Sequence, residues 1–215
     1  LIKILQREPT WLAAEKPAGL PTQAAQGVDS LEIQLRAQLA DSVEYLAMPH
    51  RLDVPVGGVI LVATTKKAAR LLSEQFAARK IDKTYHAVVA GDASGIERCW
   101  KDRIRKIADH PKVEIADETA SDAKSAVTRV ENVDYDAAGD RTRLILKPET
   151  GRMHQLRIGS ASRGFPILGD SLYGDSAGEI QLRAVSIEFH DPSNGKRTRV
   201  DASELSWCPS SGLSK

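Results

Sequence analysis

Apolar and polar positions change period several times along this 215-residue chain. The segment WLAAEK (11–16) is short and largely apolar, and Pro17, Gly19 and Pro21 follow it. Pro removes a ladder donor and Gly favours turning, so a strand ending at Pro17 is predicted. In SLEIQLRAQLA, Leu31, Ile33, Leu35 and Leu39 stand among polar residues behind a cap candidate, Asp29 or Ser30, which predicts a helix. GGVILVAT (57–64) has the length and β-rich composition of a buried strand. The next segment, TKKAARLLSEQFAARK, places Ala68, Leu71, Leu72, Phe76 and Ala77 at helical spacing behind a capping Thr. Further strands are expected at TYHAVVAG, AVTRVENVDYD, TRLILKPET, MHQLRIG and LRAVSIEFHDP, with DPSNGK turning the chain into TRVDA. Strands outnumber helices and rarely alternate with them. The expected fold class is therefore α+β, a mixed, largely antiparallel sheet with flanking helices. No internal repeat or low-complexity segment interrupts it, and PSSGLSK at the end reads as a frayed tail.

Composition narrows the class. With 41% hydrophobic and 27% charged residues the chain suits a single globular domain over 1–215, and collagen-like, coiled-coil and wholly disordered classes are excluded. No run of about 18 apolar residues occurs, so no membrane span is expected. Lys3, Arg7, Glu8, Glu15 and Lys16 interrupt any apolar leader core, which leaves secretion unsupported. Two cysteines, Cys99 and Cys208, are too few for a disulfide framework, and the expected setting is reducing and cytoplasmic.

The formal net charge of +1 argues against a strongly basic nucleic-acid tail, but it is an average. Residues 1–60 carry 5 basic and 7 acidic side chains, 61–140 carry 14 of each, and 141–215 carry 11 and 8. Lys101, Arg103, Arg105, Lys106 and Lys112 crowd one stretch, and the acidic run Glu114, Asp117, Glu118 and Asp122 follows. A solvated loop or hairpin is the plain reading of such blocks.

Three stretches carry candidate chemistry. His50-Arg51-Leu52-Asp53 sets a cation and a carboxylate before a Pro55/Gly57/Gly58 turn at a strand entrance, where catalytic groups often sit. A surface ion pair is the competing reading. Thr150 to Arg157 packs Arg152, His154 and Arg157 behind Gly151. As a strand, this segment would send Arg157 to a cleft or to solvent, or bury it against a carboxylate, depending on which face Leu156 and Ile158 take. Tyr85, between Lys83 and His86, is notable in a chain with 5% aromatic residues, although packing alone would account for a strand Tyr. Gly164 to Gly174 reads as turn-rich scaffold. Its Gly-Asp-Ser-Leu block at 169–172 also spells a hydrolase nucleophile, but the late Asp191 and His190 do not supply the required base. The five His show no metal-ligand spacing, so no metal site is expected.

Taken in order, these blocks resemble the RluA-like RNA pseudouridine synthases over residues 12 to about 192. Glu15-Lys16-Pro17-Ala18-Gly19-Leu20 is similar to the early Lys-Pro-x-Gly strand, and His50-Arg51-Leu52-Asp53 to the catalytic block. Lys83-Thr84-Tyr85 with Ala87 to Gly91 is similar to the tyrosine block. Thr150 to Arg157, followed by Pro166 to Asp170 and Tyr173-Gly174, is similar to the arginine block. The chain departs from the pattern at Gly57, where Ser is common, and at Val54 and Met153.

The resemblance implies an isomerase that breaks the N-glycosidic bond of a uridine in tRNA or rRNA, rotates the uracil and rejoins it through C5, with no cofactor and no metal. It implies Asp53 as nucleophile, Tyr85 as the aromatic that packs on the flipped uracil, and Arg157 as the partner of the Asp. Arg51 would fill the space of the extruded base or hold a phosphate, and His50, Arg152, His154 and Gln155 would contact substrate RNA. A monomer without an N-terminal RNA-binding domain is expected, with a modest, local RNA footprint and a shallow salt dependence. A catalytically silent RNA-binding protein on the same fold is the alternative.

Overall fold

The computed structural model describes residues 1–174 and 177–205; the predicted frayed tail lies outside the described residues. In chain order the elements are β1 (Lys3–Arg7), β2 (Trp11–Lys16), α1 (Leu31–Leu39), β3 (Gly57–Ala63), α2 (Lys66–Ala77), β4 (Asp82–Ala90), β5 (Cys99–Lys106), β6 (Val113–Ile115), β7 (Lys124–Asp136), β8 (Arg141–Pro148), α3 (Gln155–Ala161), β9 (Leu182–His190) and β10 (Arg197–Asp201). They fall into two compact units, Leu1–Lys83 with Ala184–Ser203, and Thr84–Arg183 with Glu204–Lys215. The fold is α+β, with mixed, largely antiparallel strand pairing, as expected.

In the first unit β2 pairs antiparallel with β1 and β3, with Trp11 opposite Ala63 and Lys16 opposite Gly58. All seven positions of β3 are buried, which is why it reads as a continuous apolar run rather than an alternating one. One face is covered by α1. Leu31, Leu35 and Leu39 recur every four residues and meet Leu12, Ala14, Ile60 and Val62, which recur every two. Ser30 caps α1 by accepting from the Ile33 amide, and Thr65 caps α2 by accepting from the Ala68 amide. Trp11 packs edge-on against Phe189 of β9 at 4.9 Å, so the terminal segment 184–203 closes a core begun at residue 2. Gly58, at φ +124°, has no room for a Cβ, which would lie 2.1 Å from the Ala184 carbonyl oxygen.

The second unit runs in the order β4-β8-β7-β5-β6, each neighbouring pair antiparallel. Thr142, Leu144, Leu146 and Pro148 of β8 alternate inward. On the other face Arg143 pairs with Asp134 at 3.1 Å and Lys147 with Glu131 at 2.6 Å. The basic stretch 101–112 and the acid that follows form the β5–β6 hairpin, in which Arg105 bonds Glu114 and Arg103 donates to the carbonyls of Ala120 and Ala123.

One element differs in kind from expectation. MHQLRIG was predicted as a strand, yet Gln155–Ala161 is the helix α3. Its alternating Leu156 and Ile158 mimic a strand period over too few residues to show a helical one. His154, in the left-handed conformation at φ +51°, turns the chain into it. Gly159 lets α3 lie on Trp100, since a Cβ there would be 3.2 Å from the indole.

Candidate active site

Asp53 lies half-buried in the loop that leads into β3, and both of its neighbours are fixed. On one side the buried Thr22 hydroxyl accepts from the Leu52 amide at 3.1 Å and donates to the Leu52 carbonyl at 3.2 Å. On the other, the Val54 carbonyl accepts from the Gly19 amide at 2.9 Å and from Lys16 Nζ at 3.1 Å. Lys16 also donates to the carbonyls of Pro17 at 2.9 Å and Leu20 at 2.6 Å. A Val56 amide bond to the Asp53 carbonyl closes the turn. The loop therefore presents the carboxylate from a backbone held at both ends.

Lys16 is completely buried at the end of β2. Desolvation lowers its pKa to about 8, against the opposing pull of the Asp53 charge. His50 opens the same loop. Its Nε2 accepts from the Leu61 amide at 2.9 Å, and its ring stacks on Phe76 at 4.6 Å. Desolvation of the ring, with the Lys83 charge adding to it, pushes its pKa down to about 3, so the imidazole is neutral. Lys83 is itself lowered to about 8 by burial, opposed by Asp82. His50 Nε2 thus serves β3, and the residue pins the loop. Arg51 is exposed and, among the described residues, makes no hydrogen bond or ion pair.

Tyr85 and Arg157 belong to the second unit, Asp53 to the first. Tyr85 is half-buried on β4 opposite Leu146 of β8. Arg157 is buried on α3 and bonds the buried Asp170 in a two-pronged pair, Nε to Oδ2 and Nη2 to Oδ1, each at 2.7 Å. This planar fork fits a carboxylate as Lys would not. Asp170 Oδ1 also accepts from the amides of Leu172 at 3.0 Å and Tyr173 at 3.3 Å. Burial alone would raise the Asp170 carboxyl, but the bonds from Arg157 and the two amides outweigh it and hold the pKa below the ordinary value. The guanidinium lies 5.3 Å from the centroid of the Tyr173 ring. The Tyr173 hydroxyl accepts from the Val113 amide at 2.9 Å and pairs with His154 Nδ1 at 2.8 Å.

Gln155 is held by four side-chain hydrogen bonds. Its Oε1 accepts from the Thr150 hydroxyl and the Arg152 amide, and its Nε2 donates to the Val127 carbonyl and the Thr128 hydroxyl. Those four bonds use the whole capacity of a side-chain amide. Gln155 therefore ties α3 to β7. Arg152, half-buried, donates from Nε to the Ser125 carbonyl at 2.9 Å.

Lys16, Thr22, Asp170 and Tyr173 were not among the predicted site residues. The signals for Lys16 were its place at the end of an apolar strand and in the block similar to the Lys-Pro-x-Gly strand. Asp170 and Tyr173 lay in a block read as scaffold, and Ser171 of the hydrolase-like block is exposed beside a committed Asp170. The basic last third is largely neutralised: besides Arg157, Arg163 pairs with Asp102 at 3.1 Å and Arg197 with Asp82 and Glu188. Among the described residues there is no cluster of metal-ligating side chains and no helix long and apolar enough to cross a membrane.

Comparison with known proteins places the chain. The dual-specificity RNA pseudouridine synthase RluA of Escherichia coli K12 is 38% identical over 210 residues, covering 89% of this chain and 88% of the relative. The tRNA pseudouridine synthase C of Yersinia pestis is 32% identical over 223 residues, covering 94% and 86%. This chain spans 59% of the length of the Pectobacterium carotovorum tRNA pseudouridine synthase C, to which it is 28% identical. The structure of human RNA pseudouridylate synthase domain containing 1 superposes with a TM-score of 0.77 at 23% identity, covering 95% of this chain and 84% of that one, a likeness of fold. The family model for RNA pseudouridylate synthases matches residues 10–162, a span that contains Asp53, Tyr85 and Arg157, and the chain belongs to that family.

Proposed function

We propose that this chain isomerises specific uridines to pseudouridine in structured RNA, a tRNA or a ribosomal RNA, acting as a cytoplasmic monomer and as one catalytic domain. The observation that carries the reading is the family match over residues 10–162, supported by relatives whose names specify RNA or tRNA. Asp53 is the nucleophile. A carboxylate can attack a sugar or base carbon covalently only when ionised and correctly aimed. The clamp on Leu52 and Val54 supplies the aim, and the Lys16 ammonium adds positive charge in the same loop cage. The N-glycosidic bond breaks, the uracil turns, C5 bonds to C1′ of the ribose, and the C5 proton is exchanged for one on N1, so no electrons enter or leave.

Tyr85 stacks on the flipped uracil, offsetting part of the few kcal/mol that unstacking costs. Arg157 is the third catalytic residue, and exposed Arg51 fills the vacated stack or holds a phosphate. Arg152 and His154 border the substrate. The footprint is small because so much of the basic surface is paired, and its binding falls only shallowly with salt. No observation favours the catalytically silent alternative.

The test is release of tritium from RNA labelled at uridine C5. Release by the unmodified protein with none by Asp53→Ala is expected. No release from total tRNA or rRNA, or full activity in the variant, contradicts the reading.

A further inference from the structure

We propose that Asp170 is a positioning residue for Arg157, holding the guanidinium at one fixed angle and depth for the part that the isomerase reading gives it in the reaction. The proposal rests on the isomerase reading above and goes beyond it by assigning a role to the Gly169–Gly174 turn.

The argument begins with how α3 could otherwise behave. It is a seven-residue helix, too short to be stable alone, so the direction of its side chains depends on what surrounds it. An arginine on such a helix has four rotatable side-chain bonds and would sample many positions. Here the sampling is stopped. One edge of a rigid fork, Nε and Nη2, is taken by two oxygens of one carboxylate, and the pair is buried, Arg157 at 2% and Asp170 at 0% side-chain exposure.

The carboxylate is itself immobile. Besides Arg157, Oδ1 accepts from the amides of Leu172 and Tyr173, two bonds that form only while residues 170–173 keep their turn. The turn is anchored in turn. Gly169, at φ +76°, passes so close to Glu179 that a Cβ would lie 2.2 Å from its carbonyl oxygen, and the Gly174 amide donates to the Asp170 carbonyl at 2.9 Å. Tyr173 adds a second support, with its ring beside the guanidinium and its hydroxyl bonded to Val113 of the hairpin and to His154 at the head of α3. Orientation passes from a backbone turn to Asp170 and then to Arg157, and no exposed side chain intervenes.

The pair is buried too deeply to bind RNA directly. The arrangement instead suits a cation whose angle matters, since a displacement of about 1 Å at a reacting group costs about 100-fold in rate.

The experiment compares single-turnover tritium release and RNA binding for the unmodified protein, Asp170→Asn, Arg157→Ala and the double variant, with folding checked by circular dichroism and thermal melting. The expected result is a rate about 100-fold lower in Asp170→Asn with the RNA Kd changed by less than about threefold. The double variant should be no slower than Arg157→Ala, because a residue that acts through Arg157 has nothing left to position. A folded Asp170→Asn protein with an unchanged rate, or a further rate loss in the double variant, overturns the proposal. If Asp170→Asn does not fold, Asp170→Glu keeps the charge and carries the same test; failure of both to fold makes the pair purely structural and also overturns it. No release by the unmodified protein removes the isomerase reading itself, before any variant is compared.

Discussion

Lys16 in the first unit and Arg157 in the second are both buried cations, and the two are accommodated differently. Lys16 in the first unit bonds three backbone carbonyls, with Asp53 acting on it only as a nearby charge. Arg157 in the second bonds a carboxylate through two parallel bonds. Carbonyl dipoles only partly replace lost hydration, and the Lys16 pKa falls to about 8. A facing carboxylate supplies full opposite charge, and Asp170 is held below its ordinary value. The lysine cage is therefore sensitive to alkali, whereas the arginine pair stays charged across the same range.

Breaking the arginine pair should have the largest effect. Arg157→Met strands a buried carboxylate and is expected to lower stability by about 3–5 kcal/mol in urea unfolding. A loss below about 1 kcal/mol would mean that the two burials are alike after all. Next comes the alkaline response of the lysine cage. Lys16 is lowered in the folded protein, so between about pH 8 and 10.5 the unfolded chain binds more protons and stability rises with pH. Unmodified protein should gain on the order of 2 kcal/mol relative to Lys16→Met over that window. Lys83 titrates in the same direction but is present in both proteins and cancels. A flat difference would remove the desolvated lysine.

At pH 7, Lys16→Met should cost only about 1 kcal/mol, since the lost hydrogen bonds are offset by removing a buried charge. Tritium release should nevertheless slow, because Val54 loses its anchor. His50 sharpens the first unit from the acid side. Its folded pKa of about 3 lies below the unfolded value of 6.5, so its contribution is complete above 6.5 and is lost as pH falls toward 3. His50→Gln should flatten the acid limb of a stability–pH profile. The smallest effect is expected at Gly159, where Ala gains helix propensity but presses on Trp100. A net loss of about 1 kcal/mol in thermal melts is expected, and a gain would show that α3 is free to shift.

Much of this was legible in the sequence, and the legible parts share a cause. The helices α1 and α2, their Ser30 and Thr65 caps, and the apolar run of β3 follow from local period and residue type. So does the order of blocks that bears the family resemblance. What escaped depends on groups without a residue signature. The cage around the Asp53 loop is made largely of backbone carbonyls and amides, to which any sequence contributes equally. The partner of Arg157 lies 13 positions away in a block that looked like scaffold. The four bonds that tie Gln155 into α3 and β7 join residues far apart in the chain, such as Val127 and Thr128, which no local pattern announces. The helix α3 itself is set by its seat on Trp100, a contact that a seven-residue window cannot contain.

The discontinuous make-up of the first unit has a consequence for synthesis. Trp11 waits for Phe189, and the close approach at Gly58 waits for Ala184, so the chain must be made through the 184–203 segment before the core begun at residue 2 can close. Residues 84–183 of the second unit are all available earlier. The loop that carries Asp53 thus waits, within its own unit, for a segment made after residues 84–183.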